Sequence, residues 1–234
     1  MKQFVLPVRL AGDASFANFV PHVGAGATAA QLRSALQRPP LMAFLHGPDG
    51  CGRTHLLQAA CHQIEDAGGT IAYLPLHDLA GHPAGELVAD LEACSLVCLD
   101  DLNAVAGRAE WAEAVFHLFN RVADRHGSLL AAATQPPSAL PVALPDLRSR
   151  LQSMLVLSLA PPDDAGRAEV LTGQARARGM TLEPGVADYI LGRAPRSLPE
   201  LIAILERLDL HSLEAGRRLS IPFVRETMGW PRLS

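Results

Sequence analysis

At 234 residues the chain suits one large domain, or a core domain carrying a smaller one, and it is long enough to bury a sizeable core. Hydrophobic residues make up 49% of it, yet no apolar run approaches the ~20 residues of a membrane helix, and Met1–Leu6 turns polar too soon for a signal peptide. A formal net charge of −4 excludes broad, charge-driven coating of DNA while leaving room for a local basic patch. Together these features predict a cytoplasmic protein with no membrane partner.

Gln3-Phe4-Val5-Leu6-Pro7-Val8 precedes any periodic pattern. A short apolar segment with one amide suits either an edge strand or a tail that docks into another protein's groove. Phe16 and Phe19 stand at the start of the fold, as core residues or as lining for a nucleotide base. Ala27–Gln37 is alanine-rich and predicts a helix closed by Pro39-Pro40.

Leu41–Leu45 predicts a buried strand. Directly after it comes Gly47-Pro48-Asp49-Gly50-Cys51-Gly52-Arg53-Thr54, which has the spacing of a phosphate loop, with Arg53 where the pattern asks for lysine. Glycines in such a loop let consecutive N–H groups turn inward and cradle phosphate oxygens at the positive end of the next helix. Thr54 supplies the hydroxyl that helps hold Mg²⁺, and His55 follows it on the helix, which runs to about Asp66 before Gly68-Gly69. The alternative is a plain Gly-rich turn between strand and helix.

Thr70–Leu76 predicts a second strand. A loop with His77, Asp78 and His82 follows, read as solvated surface rather than a metal site, and then a helix around Gly85–Ala93. Ser95-Leu96-Val97-Cys98-Leu99-Asp100-Asp101 is a continuous apolar run ending in two carboxylates. Such a run is a strand buried on both faces, and hence part of a parallel sheet covered by helices. Ligands in these sheets bind beyond the carboxyl ends of the strands. Asp100 and Asp101 therefore fall on the edge where the phosphate loop opens, Asp100 to coordinate Mg²⁺ and Asp101 to polarise an attacking water. A capping Asp pair is the alternative. The four cysteines, Cys51, Cys61, Cys94 and Cys98, include no C-x-x-C pair and read as reduced core residues.

Trp111, Val115, Leu118, Phe119 and Val122 share one helical face, so Arg108–His126 is an amphipathic helix on the sheet. Ser128–Thr134 and Met154–Leu159 complete five strands, separated by a short Leu144–Leu151 helix bearing Arg148 and Arg150. After Pro161-Pro162 the pattern is helical only: Asp163–Arg178, Pro184–Arg193, Ser197–Ala215 and Ser220–Met228. Leu198, Leu201, Ile202, Leu205 and Leu208 form an apolar stripe on the third of these. The expected organisation is a tail over residues 1–12, an α/β nucleotide-binding domain over 13–161 and a helical lid over 162–234.

The phosphate loop, the Asp-Asp strand, Leu144-Pro-Asp-Leu-Arg-Ser-Arg150 and the helical lid together resemble the AAA+ family of DnaA-type replication proteins. They resemble the Hda branch, the DnaA-related regulatory inactivators, more closely than DnaA itself. Arg53 in the lysine position, Ser95–Asp100, Ile221-Pro-Phe-Val-Arg-Glu226 and Gln3–Val8 carry that closer likeness. The resemblance implies an arginine finger at Arg150, a nucleotide-sensing lid arginine at Arg196 and a polar sensor position at Thr134. Thr134 lacks the family's usual neighbouring Asp, and Asp101 departs from the Asp-Asn pair of Hda proteins toward DnaA. Arg148 and Arg150 as a solvated helix face, and Arg196 as an ordinary helix start, are the alternatives.

The resemblance implies a negative regulator of replication initiation. It binds ADP or ATP with Mg²⁺, has weak or no ATPase of its own, and docks on the sliding clamp (the β subunit of DNA polymerase III) through Gln3–Val8. There it promotes hydrolysis of the ATP held by DnaA, meeting DNA only through the clamp. The same tail filling a groove on a second copy would instead give a homodimer. A stand-alone DnaA-like ATPase acting as a loader is the second reading, favoured by Asp101 and opposed by Arg53. A small-molecule kinase lacks a substrate-recognition insert and leaves Arg150 and the tail unexplained.

Overall fold

The computed structural model describes residue 10 and residues 14–20, 24–195, 197–215 and 218–231. The chain divides into two compact units, whose main bodies are Gly24–Pro48 with Gly52–Ala160, and Pro161–Ser234.

The first unit is built on a parallel sheet of five strands: β1 (Met42–His46), β2 (Ile71–Pro75), β3 (Leu96–Asp100), β4 (Ser128–Ala133) and β5 (Leu155–Ser158). In space they run β2-β3-β4-β1-β5. The apolar runs expected at these positions are strands, and β3 and β4 are buried along their whole length. Helices cross between them: α1 (Ala25–Leu36), α2 (Arg53–Asp66), the short α3 (Leu76–Leu79) and α4 (Ala84–Leu87), α5 (Ala109–Asp124) and α6 (Pro145–Ser153).

Side chains alternate between the faces of a strand, and β3 shows what that sorts. Val97 and Leu99 join Phe44, Leu129 and Ala131 under Trp111, Val115, Leu118 and Val122 of α5. Leu96, Cys98 and Asp100 point the other way, toward α2. There the Cys98 thiol lies 3.5 Å from Cys61 of α2, and all four cysteines are free thiols. Burying large side chains such as Trp111 and Phe44, both 0% exposed, stabilises each by roughly 1.5–3 kcal/mol relative to exposure.

The single helix expected around Gly85–Ala93 is two pieces, α4 and a 3₁₀ turn at Leu91–Ala93. Asp90 between them is left-handed, with φ 61°, which stops the helical ladder. His77 and Asp78, expected in a loop, lie in α3, whose start falls at Pro75.

The second unit holds α7 (Asp164–Ala177), α8 (Val186–Leu191), α9 (Leu198–Ala215) and α10 (Ile221–Met228). Asp163 caps α7 by accepting from the Gly166 amide at 2.8 Å, worth about 1 kcal/mol as such caps go. Of the expected α9 stripe, Leu201, Leu205 and Leu208 are wholly buried, with Leu171, Ile190, Phe223 and Val224 around them; Leu198 lies at the margin of that cluster and Ile202 is half-buried outside it. Among the described residues, no helix is long and apolar enough to cross a membrane.

Candidate nucleotide-binding site

Strand order assembles the site. β4 lies between β1 and β3, so the loop leaving β1 and the carboxylates ending β3 flank the end of β4 on the same sheet edge. The Gly47 amide donates to the Ala133 carbonyl at 3.3 Å and anchors the loop's start to that strand. Gly50 and Gly52 then take left-handed conformations, with φ 77° and 99°, which cost glycine little. Gly52 is constrained twice over, because a Cβ there would lie 2.7 Å from Phe19 Cε2. Thr54 stands exposed in the first turn of α2, where unpaired N–H groups and the helix dipole favour an anion.

Phe19 is a wall of this loop. It is buried, its ring centroid is 5.6 Å from that of His55, and His55 Nε2 lies 2.9 Å from the Ser15 carbonyl oxygen. Phe16 is half-buried.

Arg53 is 6% exposed. Its guanidinium donates to the Gly47 carbonyl and, at 3.1 Å, to the Asp101 carboxylate. The guanidinium thus joins the loop's first residue to the residue just past β3. Asp101 turns toward it because its backbone is left-handed, at φ 52° and ψ 48°.

Asp100 keeps the strand's alternation and enters the α2 face, 2% exposed. Tyr73 of β2 donates its hydroxyl to Oδ2 at 2.7 Å, and the Asp101 amide donates to Oδ1 at 3.0 Å. The Thr54 side chain lies near this carboxylate. Burial pushes the Asp100 carboxyl above the usual carboxylate range, although Tyr73 and Thr54 work against that shift. Thr54 and Asp100 form the hard oxygen pair that suits Mg²⁺, an ion that takes one or two protein oxygens and leaves the rest to phosphate and water.

Thr134, just past β4, donates its amide to Asn103 Oδ1 at 3.0 Å. On α6 the two arginines differ. Arg148 donates to the Val142 carbonyl at 2.9 Å. Arg150 is exposed, its guanidinium carbon 5.7 Å from the Phe119 ring centroid, and the ion pairs of the described residues do not include it. Arg196 and the tail Gln3–Val8 lie outside the described residues.

The structure thus brings Gly47, Arg53, Thr54, Asp100 and Asp101 together on one edge. It adds two residues that pattern reading missed. Tyr73 had a faint signal, a hydroxyl inside an apolar strand next to the acidic one. Asn103 had none.

The model of the bacterial DnaA ATPase domain matches residues 11–158, and that of the Hda lid domain matches residues 164–228. Domain III of the Thermotoga maritima replication initiation protein DnaA superposes with a TM-score of 0.80 at 20% identity, covering 95% of this chain and 98% of that one. AMPPCP-bound DnaA from Aquifex aeolicus gives 0.70 at 21%, over 89% and 68% of the two chains. The Thermotoga maritima RuvB Holliday junction branch migration motor gives 0.68 at 18%, over 92% and 71%. At these identities the likeness is one of fold.

Proposed function

Because the chain belongs to the family of the bacterial DnaA ATPase domain, we propose that it acts as a DnaA-related negative regulator of replication initiation. In this reading it binds adenine nucleotide in the loop Gly47–Thr54, docks on the DNA sliding clamp through Gln3–Val8, and presents Arg150 to the ATP held by DnaA. The observation that carries it is the contrast on α6, where Arg148 is tied to the Val142 carbonyl and Arg150 makes no ion pair with a described carboxylate. A guanidinium that serves another subunit's phosphates must be exposed and not held by a carboxylate of its own chain. Thr54 and Asp100 would hold Mg²⁺, which shields phosphate charge when bound. Arg196 is assigned to nucleotide sensing from the lid.

The test compares two assays. The isolated chain should turn ATP over slowly or not at all. Mixed with ATP-bound DnaA and clamp loaded on DNA, it should accelerate hydrolysis, and deleting residues 1–8 should abolish that acceleration with little change in melting temperature. Gln3 offers an amide that both donates and accepts, Leu6 and Val8 offer groups for a pocket, and Pro7 reduces the entropy lost on docking. Brisk turnover by the chain alone would favour a stand-alone ATPase instead. Clamp binding that survives the deletion alongside a large loss of thermal stability would make the tail an edge strand.

The Arg53–Asp101 pair bears on nucleotide choice. A bulky guanidinium already committed to Gly47 and Asp101 is a poor partner for a γ-phosphate. ADP is therefore expected to bind at least as tightly as ATP in isothermal titration. ATP binding much more tightly than ADP would show that Arg53 leaves Asp101 for the phosphate.

A further inference from the structure

β2 and β3 run parallel with Pro75 opposite Asp100 and Tyr73 opposite Cys98. Residues two apart on a strand share a face, so Tyr73 and Asp100 face α2 together, one step out of register. The tyrosine side chain spans that step, and its hydroxyl meets Asp100 Oδ2 at 2.7 Å. The site needs such a group, because a carboxylate 2% exposed is costly unless donors surround it.

The contact lies beside two side chains of α2. The Gln58 side chain lies near the same Tyr73 hydroxyl, and the Thr54 side chain lies near Asp100. Thr54 and Gln58 are four residues apart on α2, and so share one face of that helix. Helix, edge strand and acidic strand bring four side chains together here. Asp101 closes the other oxygen with its amide at 3.0 Å.

We propose that Tyr73 is a positioning residue for the nucleotide's metal: it fixes the Asp100 carboxylate in the orientation that presents it to Thr54. The inference rests on reading Thr54 and Asp100 as the Mg²⁺-holding pair. Tyr73 touches neither metal nor phosphate and acts through Asp100.

The test is Tyr73→Phe, which keeps the buried ring and removes the donor. ADP affinity is measured by titration calorimetry in excess Mg²⁺ and again in EDTA, beside the melting temperature. Partners of metal ligands typically contribute about 10- to 100-fold in metal affinity. The variant should therefore lose about that much of the Mg²⁺ enhancement while matching wild type in EDTA. Loss of ADP binding by the same factor in both buffers would assign Tyr73 a packing role and overturn the proposal. An unchanged Mg²⁺ enhancement would overturn it too.

If wild-type binding shows no Mg²⁺ dependence at all, the Thr54–Asp100 reading fails first and takes this inference with it. Should Tyr73→Phe not fold, Gln58→Met removes only the amide near that hydroxyl. It should reduce the Mg²⁺ enhancement in the same direction by a smaller factor, and an unchanged enhancement in that variant would count against the proposal.

Discussion

Arg150→Ala should leave a folded, nucleotide-binding, clamp-binding protein that no longer accelerates hydrolysis of ATP on DnaA. In comparable GTPase systems a guanidinium placed on the developing transition-state charge is worth on the order of 10³-fold or more in rate. A loss of that order is the expected reading. Little else should change, because Arg150 is exposed and its packing partner is the face of Phe119 at 5.7 Å, a contact worth about 0.5–1 kcal/mol at a surface. Arg150→Lys separates charge from shape. Lysine keeps the charge but lacks the planar fork, so it should recover only a small part of the rate. Normal stimulation by Arg150→Ala would make Arg150 a surface residue and return attention to Arg148.

Gly52→Ala is expected to cost the most within the chain's own site. Two independent constraints meet there: a backbone φ of 99° and a Cβ position 2.7 Å from Phe19 Cε2. Holding a residue with a side chain in so sparsely populated a region costs roughly 1–3 kcal/mol. If the loop straightens to relieve that cost, nucleotide affinity falls by about 10- to 100-fold. The melting temperature should fall as well, because the clash also pushes on the wall formed by Phe19 and His55. Adding Phe19→Ala should recover the steric part and leave the backbone part. Wild-type affinity in Gly52→Ala would mean that bound nucleotide does not require this loop conformation.

Much of the architecture was legible from pattern alone. The five apolar runs are the five strands, and the α5 stripe from Trp111 to Val122 faces the core as its spacing predicts. Strand order was not legible, because periodicity reports burial and not pairing. The break at Asp90 was missed for a related reason: a left-handed backbone at an ordinary Asp leaves no mark in hydrophobic spacing. In the site, the two neighbouring carboxylates show where reading by motif stops. Asp100 keeps the strand's alternation and faces α2, while Asp101 leaves the strand and turns to Arg53. The motif gave Arg53 a chemical type and a place in the loop. Its acceptors, the Gly47 carbonyl and a carboxylate 48 positions along the chain, depend on which strands are neighbours. Tyr73 and Asn103 were hidden in the same way, since each works on a residue distant in sequence, at the end of or just past a neighbouring strand.

The order β2-β3-β4-β1-β5 also fixes when, during synthesis, the site can exist. Among the described residues β1 pairs with β4 and β5, both made much later. A nascent chain that has exposed residues up to about 125 can align β2 with β3, but its phosphate loop hangs from a strand with no neighbour in the sheet. Completion waits for β4 to slide between two strands already made, a non-local step that loop-closure entropy slows. Until then the apolar residues of β1 and β3 have unfilled edges, the kind of surface that recruits chaperones. Ribosome-stalled chains released just before and just after Ser128–Ala133 should therefore differ sharply in protease resistance and in retention of nucleotide.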